Sequence, residues 1–211
     1  PTANLLSMAG YRGLALLALE LLFKNTNPWL SDTYVQYLSL LYDNEQYNSL
    51  NSRLNSISDL EQSNSEVSSL KSCIATKENK FLEAVKLIEE QLKKYQDKSL
   101  SELEKRHCTH LWLNLLINLT NAKSSKLIGE YVKKIPITIF SNPEDELAWE
   151  LLTFFGENYL EIEDMVLTWF FKDPNKYANQ LFKIVMNISE ISSNVGYNSK
   201  IFKVGYVYTE N

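Results

Sequence analysis

Residues 77–84 read KENKFLEA, residues 43–50 read DNEQYNSL and residues 7–14 read SMAGYRGL. In each stretch an aromatic residue is followed three positions later by leucine or alanine. The aromatic residues are Tyr11, Tyr47 and Phe81. They recur at intervals of 36 and 34 residues, a spacing typical of one helix–turn–helix unit repeated along a chain. We therefore expect a row of helical hairpins.

Apolar residues on both sides of the first stretch follow the period of an amphipathic helix, over Ser65–Lys77 and over Phe81–Leu92. The short break between them predicts that the two helices pack as an antiparallel hairpin. For the charged linker Gln96–Arg106, a longer helix and an inserted loop both fit. The other predicted helices are Tyr11–Lys24, Asp32–Tyr42, Tyr47–Ile57, Thr109–Leu119, Ser124–Lys133, Glu144–Phe155, Tyr159–Phe171 and Asn175–Ile191.

Two of these helices carry a start signal. The run Asn142-Pro143-Glu144-Asp145 offers a capping side chain, a proline at the first turn and carboxylates at the positive end of the helix dipole. Asp173-Pro174 repeats the device. The last stretch, residues 196–211, fits a short helix, a strand or an extended tail.

One register runs through the predicted hairpins. The reference positions, each three residues after the start of a second helix, are Leu14, Leu50, Ala84, Ile128 and Ile162. Four residues after each of them lies another apolar residue: Ala18, Leu54, Ile88, Val132 or Val166. The second helix of every hairpin is therefore predicted to keep one face inward.

The 34-residue period and the stretch Ser72–Ile88 resemble the tetratricopeptide repeat, and the resemblance covers roughly residues 1–171. It implies an all-α fold, a right-handed α-solenoid of antiparallel helical hairpins with about 10–12 helices. Residues 1–195 would form one repeat domain, with residues 196–211 as a C-terminal tail or capping element. Another kind of helical solenoid and a compact bundle are the alternatives.

Composition agrees with a helical protein and excludes several classes. Six glycines and five prolines in 211 residues leave little material for the turns of an all-β fold. A net charge of −5 without a basic stripe argues against nucleic acid as a partner. Two cysteines make no disulfide framework, which indicates a reducing, cytoplasmic location. The longest apolar run, Leu14–Phe23, is too short to cross a bilayer.

No constellation in the sequence predicts catalysis, a metal or a cofactor. His107-Cys108-Thr109-His110 has metal-ligand spacing but supplies too few ligands, so we interpret it as a helix start with partly exposed histidines. Cys73 and Cys108 are expected to be packing residues rather than nucleophiles. Carboxylates such as Glu161, Glu163 and Asp164 are interpreted as solvated capping residues. The protein is therefore not expected to be an enzyme.

In the tetratricopeptide family, the first helix of each hairpin lines a concave groove that binds partners. Transferred by register, the groove positions are Gln36, Ser39, Tyr42, Asp43, Ser69, Cys73, Asn114, Ile117, Asn121, Leu151 and Phe154. Asn114 and Asn121 are seven residues apart, hence on one helix face, and an amide can both donate to and accept from a peptide backbone.

The resulting hypothesis is a non-enzymatic protein–protein interaction module, a scaffold or adaptor that holds a peptide or helix of another protein in this groove. The alternative is a structural α-solenoid subunit of a multisubunit assembly, such as a vesicle coat, a tether or a similar protein-transport complex. A subunit of that kind would expose a large apolar patch when isolated.

Overall fold

A computed structural model describes residues 6–24, 32–57, 65–96, 98–191 and 199–209. Throughout these ranges the regular structure is helical and no strand occurs, which confirms the all-α class. None of the helices in these ranges has both the length and the apolar character needed to cross a membrane. The chain forms two compact units, Pro1–Gln91 and Leu92–Asn211. The single domain over residues 1–195 stays a prediction, as does the solenoid arrangement, and residues 1–5 and 192–195 lie outside the described ranges.

The first unit holds helices that we number from the N-terminus, after one helical turn at residues 6–8. They are α1 (Arg12–Phe23), α2 (Asp32–Asp43), α3 (Tyr47–Asn55), α4 (Ser65–Lys77) and α5 (Phe81–Leu92). Helix α2 packs against α1, α3 and α4, and α3 also packs against α4. The first helices of two successive predicted hairpins, α2 and α4, are therefore neighbours.

The second unit begins with a 3₁₀ turn at Lys93–Tyr95. Its helices are α6 (Glu102–Asn121), α7 (Ser125–Val132), α8 (Glu146–Leu152), α9 (Glu163–Lys172), α10 (Pro174–Ile191) and α11 (Lys200–Thr209). Further 3₁₀ segments run over Ile137–Ile139 and Thr153–Glu161. Helix α6 packs against α7 and α8, whereas α10 packs against α9, α11 and the long 3₁₀ segment.

Four turns share one geometry. In each, a residue with positive φ closes the preceding helix: Gly10, Glu45, Asn79 or Lys123. The next residue's N–H donates to a carbonyl five residues back, at 2.8–3.0 Å, and the positive-φ residue's own N–H donates three residues back. This pair of hydrogen bonds is the Schellman motif, which satisfies carbonyls at a helix end and turns the chain back. The turns recur after 35, 34 and 44 residues. The interval between the aromatic residues therefore reflects the number of residues between successive helix ends.

Burial agrees with the predicted register at three of its five reference positions. Leu50, Ala84 and Ile162 are fully buried, although Ile162 is the N-cap residue of α9 and not, as predicted, a position inside a helix that begins at Tyr159. Ile128 is only half-buried. Leu14 is 55% exposed, so the register is wrong for α1. Helix α1 instead turns Ala15, Leu16, Leu19 and Phe23 inward.

Aromatic rings fill the centre of the first unit. Phe23 of α1 meets Tyr34 and Tyr37 of α2 with ring centroids 5.0 and 5.5 Å apart. The aliphatic residues packed with them include Leu38, Leu41, Leu50 and Leu54, all 1% exposed or less. This cluster joins α1, α2 and α3 around a single apolar centre.

In the second unit, local capping accounts for where α6 and α8 begin. Ser101 and Glu104 form a capping box, so α6 starts within the charged linker and the longer-helix alternative is confirmed. Asp145, rather than Asn142, caps α8 by accepting from the N–H of Leu147. Asn142 instead accepts from Glu144 and forms the turn before the cap. Asp173 caps α10 as predicted, by accepting from Lys176.

The C-terminal stretch forms helix α11, which resolves the choice among helix, strand and tail for residues 200–209. It crosses α10 closely: a Cβ built on Gly205 would lie 2.6 Å from Cγ2 of Val185. Any larger side chain at position 205 would push the two helices apart. Glycine is therefore required here for packing rather than for an unusual backbone angle.

The inward register of α5 can be tested at Ala84, which is fully buried. Ala84→Arg would bury an unpaired charge, and we expect it to cost about 3–5 kcal/mol and lower the melting temperature by about 10 °C. The control is Leu82→Arg on the same helix, because Leu82 is 52% exposed and an arginine there reaches water. Equal melting temperatures for the two variants would contradict the packing of α5.

Replacing lysine by glycine should change the stability in opposite directions at two nearby positions, because only one of them lies in a left-handed turn. Lys123 has φ 54°, so Lys123→Gly should relieve backbone strain and stabilise the protein by about 0.5–1 kcal/mol. Lys126→Gly, in the exposed part of α7, should destabilise it by about 1 kcal/mol. Urea unfolding measures both values, and a loss of stability in Lys123→Gly would argue against the strained turn.

Candidate interaction surface

The predicted groove residues of the first unit occupy one side of α2 and the facing part of α4. On α2, Gln36, Ser39 and Tyr42 are half-buried and Asp43 is exposed. On α4, Ser69 and Cys73 are half-buried. Ser39 Oγ donates to the carbonyl oxygen of Val35, one turn earlier. Since α2 and α4 pack together, the structure brings these residues onto neighbouring helices.

Tyr42 and Cys73 lie where the two packed helices meet, close enough for each side chain to affect the pKa of the other. Burial, followed by the neighbouring Cys73, raises the pKa of Tyr42, and burial likewise raises the pKa of Cys73. Both groups are therefore neutral at neutral pH. The ring of Tyr47 meets that of Tyr42 edge-on at 5.7 Å, which adds an aromatic border to the surface.

In the second unit, Asn114, Ile117 and Asn121 lie along one accessible strip of α6. Asn114 is half-buried, Asn121 is exposed and Ile117 is 39% exposed. Asn114 Nδ2 lies 3.2 Å from His110 Nε2, so the histidine extends the strip by one turn. The two asparagines therefore lie on one face of α6, as predicted. This face is polar at both asparagines and apolar at Ile117 between them.

The remaining predicted residues are less accessible. Leu151 is fully buried in α8, so it supports the core and cannot contact a partner. Phe154 is half-buried in the 3₁₀ segment that follows. The helix register changes at this point, because α8 ends after Leu152 and Gly156 takes a positive φ of 41°. The groove position at Leu151 was predicted by counting residues along a continuous helix. That prediction is therefore wrong for Leu151.

The motif His107-Cys108-Thr109-His110 lies inside α6 rather than at a helix start, which corrects the sequence interpretation. Cys108 is buried, and burial, with a smaller effect from Glu104, raises the pKa of its thiol to about 11. The His107 ring lies 5.7 Å from that of Tyr95. Within the described ranges, no cluster of three or more metal-ligating side chains occurs. The expectation of no bound metal stays a prediction.

Glu163 plays a role that the sequence interpretation missed. It is 7% exposed, not solvated, and its Oε1 accepts hydrogen bonds from Ser199 Oγ and from the N–H groups of Lys200 and Ile201. Two of these donors are the first N–H groups of α11, which have no partner within the helix. A side chain of α9 thus caps a distant helix. Nothing in the sequence around Glu163 marks this partner, which is 36–38 residues away.

This cap predicts a strong dependence of α11 on one carboxylate. Glu163→Ala would leave its donors unsatisfied, and we expect it to cost about 3–5 kcal/mol and to speed amide hydrogen exchange at Ile201. Asp164→Ala is the control, since Asp164 is exposed and forms a surface ion pair with Lys200 at 3.1 Å. Its cost should stay below about 1 kcal/mol. Equal exchange at Ile201 in both variants would refute the cap.

A row of exposed apolar residues on α1 was also unexpected. Leu14, Leu17 and Leu21 are 55%, 52% and 67% exposed, and Tyr11 is 60% exposed. The three leucines lie at i, i+3 and i+7 positions on the side of α1 opposite its buried residues, and Tyr11 is the residue before the helix. The sequence did contain a signal, because α1 reads RGLALLALELLF and is apolar around nearly its whole circumference.

No family model matches the chain. The curated proteins contain no match to it either, and neither do the solved structures. The tetratricopeptide resemblance accordingly stays a prediction. Function has to be argued from the surfaces described above.

Proposed function

We propose that the protein is a non-enzymatic protein–protein interaction module that holds a peptide or helix of another protein against its first helices. The observation that carries the proposal is the packing of α2 against α4, which brings Tyr42 and Cys73 close together. These are the first helices of two successive predicted hairpins, and a repeat groove would use such neighbouring first helices. The predicted right-handed solenoid would extend this surface from hairpin to hairpin.

The chemistry of this surface suits a polypeptide ligand. Its hydroxyl, thiol and amide groups are neutral, and they can exchange hydrogen bonds with backbone N–H and C=O groups. Tyr42 and Tyr47 add rigid aromatic area, which often supplies much of the energy in protein interfaces. The amide strip of α6 offers the same combination in the second unit, around the half-exposed Ile117. A protein partner in the cytoplasm, with no nucleic acid and no cofactor, fits these surfaces.

A second candidate function is favoured by the exposed leucines of α1. A structural subunit of a multisubunit assembly, such as a coat, tether or other transport complex, exposes apolar surface when it is isolated. Leu14, Leu17 and Leu21 form such a surface. Under this candidate, the permanent contact would involve α1 rather than the side of α2 that carries Tyr42.

The two candidates can be separated by paired arginine substitutions. Ser39→Arg with Ser69→Arg places two long charged side chains on the first-helix surface, where they can extend to water without unfolding the protein. We expect this variant to lose a captured partner by about tenfold or more, because it blocks contacts on two helices. Quantitative affinity capture with mass spectrometry measures the loss, with circular dichroism as the folding check.

The matched control is Asn55→Arg with Ser56→Arg, at two exposed positions at the C-terminal end of α3. It carries the same added charge on a second helix of the first unit and should retain the partner. Loss of the partner in this control, with normal binding in the first variant, would refute the first-helix proposal and assign the contact to the second helices.

A further inference from the structure

An open groove runs between α1 and α3, over α2. Both helices pack against α2, which leaves a cavity volume of about 720 Å³ above it. Tyr37 of α2, 2% exposed, lies at its floor. The other lining residues are Leu17, Glu20, Leu21, Lys24, Asn48, Ser49, Ser52 and Arg53. Tyr37 is five residues before Tyr42, roughly 140° around the helix, so this groove is distinct from the surface proposed above.

The α1 wall of the groove carries a row of leucines beside the charged residues Glu20 and Lys24. Leu17 and Leu21 line it directly, and Leu14 continues the row along the helix. Exposed fractions of 52–67% leave much of these three side chains in water, a cost that burial against an apolar partner would remove. Side chains at i, i+3 and i+7 form a ridge of the kind that packs into the groove of another helix. The ridge therefore fits a helix better than an extended peptide.

The opposite wall is polar and cationic. The Arg53 guanidinium lies 5.9 Å from the centre of the Tyr37 ring. Among the described residues, no carboxylate lies within 4 Å of Arg53 or of Lys24 at the end of the groove. The lining contains one acidic residue, Glu20, against these two cations. A partner that brings carboxylates to Arg53 and Lys24 would complement this charge.

We infer that this groove docks an amphipathic helix of a partner protein, with leucine-type residues on one face and acidic residues along the edge that meets Arg53. The apolar face packs on Leu14, Leu17 and Leu21, while the acidic edge pairs with Arg53 and Lys24. The site uses α1 and α3, so it stands or fails separately from the first-helix surface.

Two synthetic helical peptides test the groove on the full chain. Both are about 18 residues long, enough to hold a helix, and share one leucine face. One carries glutamate and the other lysine beside that face. We expect the acidic peptide to bind the protein about tenfold more tightly than the basic one in fluorescence anisotropy. Arg53→Glu should reverse that preference, whereas Lys86→Glu, on the exposed side of α5, should preserve it.

The apolar wall is tested by two leucines of equal exposure. Leu17→Ser should weaken binding of the acidic peptide by about tenfold, because it removes a leucine contact. Leu82→Ser is the control, since Leu82 on α5 is also 52% exposed and lies outside the groove. It should leave the affinity unchanged. Circular dichroism shows whether both variants keep the fold.

Three results would overturn the inference. They are an absence of saturable binding by the acidic peptide, equal affinity for both peptides, and equal effects of Leu17→Ser and Leu82→Ser. A fourth result would show that a second copy of the chain occupies the groove. If sedimentation shows a dimer that Leu17→Ser converts to a monomer, the face is a self-association surface and not a site for an acidic helix.

Discussion

In the described ranges, four Schellman turns each join two successive helical segments, and each turn depends on one residue in the left-handed region. The hydrogen bond that spans five residues closes one helix and directs the chain into the next. Only one of the four positions, Gly10, is a glycine. At Glu45, Asn79 and Lys123 the surrounding packing must therefore offset a backbone cost of about 1 kcal/mol. The spacing of these turns sets which apolar faces can meet.

Helix α1 shows how the same apolar composition can serve two purposes. Its inner side completes the aromatic cluster through Phe23, while its outer side leaves Leu14, Leu17 and Leu21 in water. An isolated amphipathic helix gains nothing from the second apolar side. The docking proposed above would cover the outer leucines with a partner helix, and the adjacent cations Arg53 and Lys24 would favour an acidic edge on that helix. The surface around Tyr42 and Cys73 is a separate part of the same unit.

Glu163 links two parts of the second unit that are far apart in sequence. Burying a carboxylate is costly unless several donors satisfy it, and here a hydroxyl and two helix N–H groups do so. The close crossing at Gly205 then lets α11 lie against α10. Together they explain how a stretch with ambiguous patterning becomes a helix with the fully buried residue Ile201.

The sequence by itself predicted most of the helices, several short connections and the cap at Asp173, because periodicity and capping depend on residues only three to five positions apart. It left the start of α6 and the whole of α11 undecided, and it placed the start of α9 too early. It also placed Ala84 inward and put Asn114 and Asn121 on one face. Tertiary structure decided the exposure of Leu14 and the burial of Leu151 and Glu163. The pattern of α1 permits either side to face the core, and α2 selects one. Whether a residue is buried depends on which helices pack against it. Those contacts join residues that are far apart in the sequence.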